Sequence, residues 1–242
     1  MVQSDNYDRR YERWTWKDVL YPHKDIKKRH KILPPPRLRD TDTPGSCVLF
    51  SVGTAVEAAF RASGIKVRQL SWQYIGEMIR EDAQDRIFEA LRVVKYHGIM
   101  MHDDFKRGIV NARRYKIHQF YQMGNPENVA ITPQSTLDKH IIKAALDNFL
   151  KKSVLIGRIP TSLNYYDLED GEHIYYFDGR SAALVEGLVE THSIAVIGFG
   201  FDEDVPFFEF IDCNGNGFSK EGFGRVSPIS VIELFGFDIC LD

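Results

Sequence analysis

Cys47 stands in the stretch TPGSCVLFSVGTAVEAAF, residues 43–60, at the threshold of a run that is apolar or small on almost every face. A thiol placed there has a physical reason to react. Unpaired N–H groups and the dipole at a helix N-terminus stabilise a thiolate, and the thiolate is the nucleophilic form. The same residue also suits packing, as a small apolar side chain at a helix end. Far downstream, His192 lies at the edge of a strand-like segment in GLVETHSIAVIGFG, and Asp212 lies within FFEFIDCNGNGFSKEGFGRV. An imidazole can exchange a proton with a thiol. A carboxylate that accepts the imidazole N–H raises the pKa of the ring and favours a thiolate–imidazolium pair. Each of the three has a plain alternative: Cys47 as core, His192 as a satisfied strand-edge histidine, Asp212 as a turn carboxylate.

The elements that would have to position these residues follow from pattern. Cys47 to Phe60 reads as a helix buried all round, with Thr43 as N-cap, Pro44 in the first turn and Gly64 closing it. QLSWQYIGEMIRE, residues 69–81, reads as a shorter helix capped by Ser71. QDRIFEALRVVKYHGI reads as a third, with Ile87, Leu91 and Val94 on one face and Gly98 as a stop. Residues 113–122 alternate loosely and suggest a strand. PQSTLDKHIIKAALDNFLKK is an amphipathic helix with Ser135 and Asp138 at a capping-box-like start. SVLIGRIP, HIYYFDG, SIAVIGFGF, PFFEFIDC and VIELFGFDICL read as strands. Helices therefore fill the first half and strands the second, an α+β order. LPPPRL, residues 33–38, is an extended connector leading into turn chemistry ahead of Cys47.

Composition narrows the class. With 242 residues, 43% hydrophobic and 27% charged, the chain suits one large domain or two small lobes with a real core. No apolar run approaches a membrane span, so no membrane association is expected. Cys47, Cys213 and Cys240 show no CxxC spacing, and the eight histidines show no HExxH. No disulfide framework, metal or other cofactor is expected, and Cys213 and Cys240 read as structural. Residues 9–39 are rich in Lys and Arg, densest in KDIKKRHK. A solvated basic loop accounts for that run, with nuclear targeting or an acidic partner as sharper readings. No nucleic-acid fold motif accompanies it, so nucleic acid is not an expected partner. The polar start MVQSDNYDRRYERW and the sparse cysteines point to a reducing compartment, cytoplasmic or nuclear.

Three segments together resemble the papain-like cysteine peptidases. GSCVLFS is similar to the segment that carries that family's nucleophile at the head of its central helix. HSIAVIGFG is similar to the strand led by its catalytic histidine, and DCNG…EGFGRV to its Asn-containing segment and the strand after it. LRDT aligns with the family's Val-Arg-Asp-Gln, LSWQYI with its Leu-Ser-Glu-Gln-Glu-Leu, and RIFEALRVVKYHGI with a later helix. His192 follows Cys47 at the family's separation of about 130 to 150 residues. The likeness runs over roughly residues 33–235. It is the joint occurrence at this spacing that sets the three residues apart from their plain alternatives.

The resemblance implies a two-lobe papain-like fold: a basic N-terminal arm over residues 1–32, a helical lobe over 33–112 carrying the nucleophile, and an antiparallel β-barrel-like lobe over 113–242 carrying His192 and Asp212, with the cleft between the lobes. It implies a thiol-dependent peptidase that cleaves peptide or protein substrates through an acyl-enzyme. Cys47 would be nucleophile, His192 general base and acid, and Asp212 the group that orients the imidazole. The Cys47 N–H and Thr41 would form a partial oxyanion hole. Thr41 stands where the family has Gln and is shorter, Asp212 where it has Asn, Asn214 where it has a shielding Trp, and Val48 where it has the Trp after the nucleophile. The exchange at Asn214 implies a wetter, weaker His192–Asp212 pair. The family's disulfides and its Cys-x-Gly-Gly cleft segment are missing, with REDAQDR at residues 80–86 in place of the latter. These departures imply the alternative of a catalytically weak or inactive papain-fold protein that binds a protein partner in the cleft. The family alone would imply a lysosomal, vacuolar or secreted setting.

Overall fold

The computed structural model describes residues 46–80, 83, 85–124, 146–150, 154–168, 173–180, 189–202 and 205–241. The expected arm over residues 1–32, the connector, Thr43, Pro44, and the start of the helix at Ser135 and Asp138 lie outside the described residues.

Among the described residues, four helices come first. Helix α1, Ser46–Ala62, is buried at every position from Val48 to Phe60, because small and apolar residues occupy all of its faces. It ends where Gly64 takes φ +84°, a conformation without penalty for glycine. There the Ile65 N–H reaches back to the Phe60 carbonyl at 3.1 Å. Helix α2, Trp72–Met78, is shorter than the pattern suggests; Ser71 caps it by accepting the Tyr74 N–H. Helix α3, Arg86–Tyr96, starts at Asp85, whose side chain accepts the Ile87 and Phe88 N–H groups. A five-residue helix α4, His102–Lys106, follows; it is too short for helical periodicity to show in sequence. None of the described helices is long and apolar enough to cross a membrane.

The described strands form one seven-stranded sheet: β1 Ile117–Gly124, β2 Leu155–Pro160, β3 Ile174–Tyr175, β4 Thr191–Asp202, β5 Val205–Ile211, β6 Phe223–Val226 and β7 Glu233–Ile239. The order is β1-β7-β2-β4-β5-β6-β3. All pairs are antiparallel except β3 with β6 at one edge, so the sheet is mixed where the sequence implied a wholly antiparallel lobe. The final turn of the expected helix is a π-type turn at Leu146–Leu150.

Strand alternation divides the core in two. Val154 just before β2, Ile156 of β2, and Ala195 and Ile197 of β4 face α1, α2 and α3. Leu155 and Ile159 of β2 and Ile194 and Val196 of β4 face the opposite way, with Tyr165, Phe208, Phe210 and Phe218. Side chains alternate faces along a strand, and a sheet covered on both faces reads as near-continuous apolar runs. That arrangement sets α1 flat against the middle of the sheet, with Cys47 at its N-terminal end facing β4.

Candidate active site

Between Ser46 and Phe60, Cys47 is the one residue that is not buried. Cys47 is half-buried. Its position relative to β4 is locked by a buried hydroxyl pair, Ser51 Oγ to Ser193 Oγ at 2.6 Å. Ser51 lies one turn after Cys47, and Ser193 follows His192. The thiol lies close enough to the His192 imidazole and to the Ser193 and Val48 backbone amides for each to act on its charge. Burial alone pushes the Cys47 pKa up, but the imidazole and the two N–H groups outweigh it and leave it below the usual thiol value.

His192 is nearly buried, 8% exposed. Its Nε2 lies 2.8 Å from Asp212 Oδ2, which leaves Nδ1 for Cys47. Burial on its own would lower the pKa of this ring. The charge and hydrogen bond of Asp212 oppose that, with smaller help from Cys213 and Cys47, and hold it well above the usual imidazole value. Burial likewise pushes Asp212 up, yet His192, the Tyr165 hydroxyl and the Asn214 N–H together bring its pKa below the usual carboxylate value.

Asp212 leaves β5 at the start of a tight loop. Its N–H donates to the Gly222 carbonyl at 2.9 Å. The loop turns through Gly215 at φ +64° and Gly222 at φ +87°, which is why DCNG and EGFG glycines flank the acid. Oδ1 accepts the Asn214 N–H at 2.7 Å. Oδ2 accepts the Tyr165 hydroxyl at 2.5 Å in addition to facing His192.

The structure thus brings Cys47, His192 and Asp212 together; Thr41 lies outside the described residues. It overturns the expectation of a wet, weak pair. Asp212 is fully buried. Tyr165, from the turn Leu163–Tyr165 after β2, covers the pair with its ring 5.4 Å from the imidazole. Phe218 packs against Tyr165 at 5.2 Å. Shielding comes from this turn and not from position 214. Cys213, expected to be purely structural, is buried in the core facing α1, and its Sγ also lies 3.9 Å from His192 Nε2. Its thiol pKa is pushed up by burial, so it stays a protonated neighbour. Cys240 is half-buried.

Tyr165, Ser51 and Ser193 were not singled out by sequence. TSLNYYDLED carries only turn signals, and the aromatic pair inside it is the one available hint. His192, Asp212 and Cys213 offer ligand atoms within 4.8 Å of one another. The His192 nitrogen and the Asp212 oxygen are already engaged with each other at 2.8 Å, so an ion would have to displace that pair.

Beside the site, Arg158 on β2 lies opposite Ser193 in the register. It reaches Asp85, the α3 cap, at 2.7 Å and the fully buried Glu233 of β7 at 3.1 Å. Glu233 Oε2 takes a charge contact from this guanidinium without an aligned hydrogen bond, while Oε1 accepts the Gln122 amide at 3.0 Å. Burial pushes the Glu233 pKa up, only partly offset by Arg158. Asp85 of REDAQDR therefore supplies a bridge from the helical part to the sheet.

No protein-family model matches the sequence, and no curated protein sequence does so either. Solved structures do. A mite allergen structure from the comparison of Blo t 1 and Der p 1 superposes with a TM-score of 0.63 at 15% identity, over 87% of this chain and 69% of that one. The bromelain protease from Ananas comosus, in complex with the E64 inhibitor, gives 0.62 at 12% identity, over 87% and 96%. Procathepsin B S9 from Trypanosoma congolense gives 0.60 at 9%, over 90% and 76%. The fold is that of the papain-like cysteine proteases.

Proposed function

We propose that this papain-like chain is a divergent cysteine peptidase acting on peptide or protein amides. The observation that carries the reading is the half-buried Cys47 beside an imidazole whose Nε2 is held by a buried carboxylate.

In this reading the Cys47 thiolate attacks the scissile carbonyl carbon. A C–S bond forms, the C–N bond breaks, and His192 Nδ1 gives its proton to the departing amine. Water then attacks the thioester, His192 takes its proton, and the carboxylic acid leaves with the thiol restored. Asp212 stays ionised and keeps the ring oriented. The Cys47 N–H supplies one oxyanion donor. With Thr41 in place of a longer amide donor, the second is weakened, a change worth roughly 10² to 10³ in rate. Slow turnover is the expectation.

The test is labelling by an electrophilic peptide probe. Folded protein is expected to label at Cys47, and His192→Ala to remove the labelling. A folded sample that does not label defeats the reading. The second reading is a protein-binding module of the same fold. It draws support from the Arg158–Asp85 bridge, which puts charged side chains at the segment where the family carries its Cys-x-Gly-Gly cleft wall. A partner complex that survives Cys47→Ala would favour it.

A further inference from the structure

Asp212 carries more donors than an orienting acid requires. Three groups converge on one buried carboxylate: His192 Nε2 at 2.8 Å and the Tyr165 hydroxyl at 2.5 Å on Oδ2, and the Asn214 N–H at 2.7 Å on Oδ1. The Tyr165 ring is fixed on several sides, 5.0 Å from Tyr175, 6.3 Å from Phe210 and 5.2 Å from Phe218. Its turn is tied down as well. The Tyr175 hydroxyl donates to the Pro160 carbonyl at 2.8 Å and accepts the Ser162 N–H at 3.0 Å. A fully buried phenol at the end of such a scaffold has one polar job within reach, and that is Asp212.

A carboxylate in place of an amide creates a specific problem. In a dry site, an Asp–imidazolium pair competes with its neutral form, in which the proton has moved to the acid. Loss of the Nε2 proton to the acid would leave a neutral ring, a weaker partner for the Cys47 thiolate and a weaker acid at Nδ1. Donors on the carboxylate favour the charged form and lower its basicity.

We propose that Tyr165 is a positioning residue of this site: its hydroxyl donates to Asp212 Oδ2, fixes the carboxylate against His192, and keeps the shared Nε2 proton on the imidazole, so that the ring stays cationic opposite Cys47. The phenol is suited to this because burial and the neighbouring Asp212 charge hold its pKa well above the usual value, so it stays a donor. The effect on turnover rests on the peptidase reading; the effect on His192 does not.

The experiment uses the protein with Cys47→Ala, which removes that thiol from the titration and leaves Cys213, 3.9 Å from Nε2 and held protonated by burial, and follows the His192 ring by 15N NMR against pH. Tyr165→Phe is expected to raise the midpoint of the His192 titration by about one pH unit, because the carboxylate loses a donor and attracts the imidazolium more strongly. The shift is expected to vanish when Tyr165→Phe is made on Asp212→Asn, since no carboxylate charge remains to tune. Site-specific 3-fluorotyrosine at 165 keeps the ring and strengthens the donor, and is expected to move the midpoint down. An unmoved midpoint in both Tyr165 variants, or an equal shift on Asp212→Asn, overturns the proposal, the latter by showing that the ring acts only through packing. A probe-labelling failure in the wild type with these shifts present defeats the peptidase reading and leaves the role of Tyr165 standing.

Discussion

Ser51 and Ser193 share a buried hydrogen bond of 2.6 Å between their hydroxyls, joining α1 to β4 within one turn of Cys47 and one residue of His192. Ser51 Oγ also reaches the Val48 carbonyl at 3.0 Å. The Ser51 proton is therefore committed to Val48, and Ser193 is the donor in the pair.

That direction makes the two alanine variants unequal. Ser193→Ala leaves Ser51 with a partner and removes one neutral hydrogen bond, a loss of about 0.5–1.5 kcal/mol. Ser51→Ala strands the Ser193 hydroxyl in the core and is expected to cost more, about 1–3 kcal/mol. The double variant is expected to lose less than the sum of the two, since no orphan remains. Urea unfolding of the four proteins checks the order; equal single losses would assign the donor wrongly.

Removing Arg158 is expected to cost far more than a surface charge would. Glu233 is fully buried, and Arg158 is the cation against it. Breaking a buried pair from one side costs about 3–5 kcal/mol, because the remaining charge is uncompensated. Arg158→Met should therefore destabilise strongly at neutral pH. The loss should shrink on acidification, because burial already pushes the Glu233 pKa up and a protonated Glu233 needs no cation. Arg158→Met with Glu233→Gln should recover much of the stability. Thermal melts at pH 5 and pH 8 separate this from a packing defect, which would be indifferent to pH.

The thiol and the imidazole predict a pH dependence that appears only when one of them is removed. His192 is raised above the free imidazole pKa of about 6.5 and Cys47 is lowered below the free thiol value of about 8.5. Where the lowered Cys47 is already ionised and the raised His192 still charged, the native pair holds one proton on the imidazole, as the unfolded chain holds one on the thiol. Proton counts match, so the pair contributes little slope to stability there. In Cys47→Ala, only the raised histidine remains. Its contribution is complete below about pH 6.5 and is lost as pH rises toward the native pKa, with a slope of at most about 1.4 kcal/mol per pH unit. Stability of Cys47→Ala relative to wild type should therefore fall from pH 6.5 to pH 8.5. A flat difference would mean that His192 is not charged in the native state.

How much of this could be read from the chain depends on whether a contact is local. The α1 helix is legible because its own residues are apolar on all faces, and the Asp212 loop because its glycines sit where positive φ is needed. Cys47, His192 and Asp212 stand out by type and spacing. Tyr165 does not, because its hydroxyl partner is 47 residues away and nothing local requires a phenol in a turn. Arg158 reads as an isolated charge in an apolar strand. Its partners are chosen by the β2–β7 register and by the α3 cap, neither of which the strand pattern encodes. The missing Trp at position 214 misled for the same reason: cover for the pair came from a segment distant in sequence.

The last link in that cover is glycine 224. On β6 it pairs with Phe210 of β5, and a Cβ there would lie 2.5 Å from the Phe210 ring. Phe210 in turn stacks beside Tyr165, with ring planes 16° apart. A methyl at 224 cannot be accommodated unless the ring shifts, and the ring is fully buried. Gly224→Ala is therefore expected to destabilise by about 1–3 kcal/mol through overpacking, although β6 backbone geometry itself tolerates alanine. Because the displaced ring bears on Tyr165, the His192 midpoint in the Cys47→Ala background should rise in Gly224→Ala, as in Tyr165→Phe. Combining Gly224→Ala with Tyr165→Phe should add little further shift in that midpoint. Stability loss without any movement of His192 would show that Phe210 supports the sheet alone and not the carboxylate.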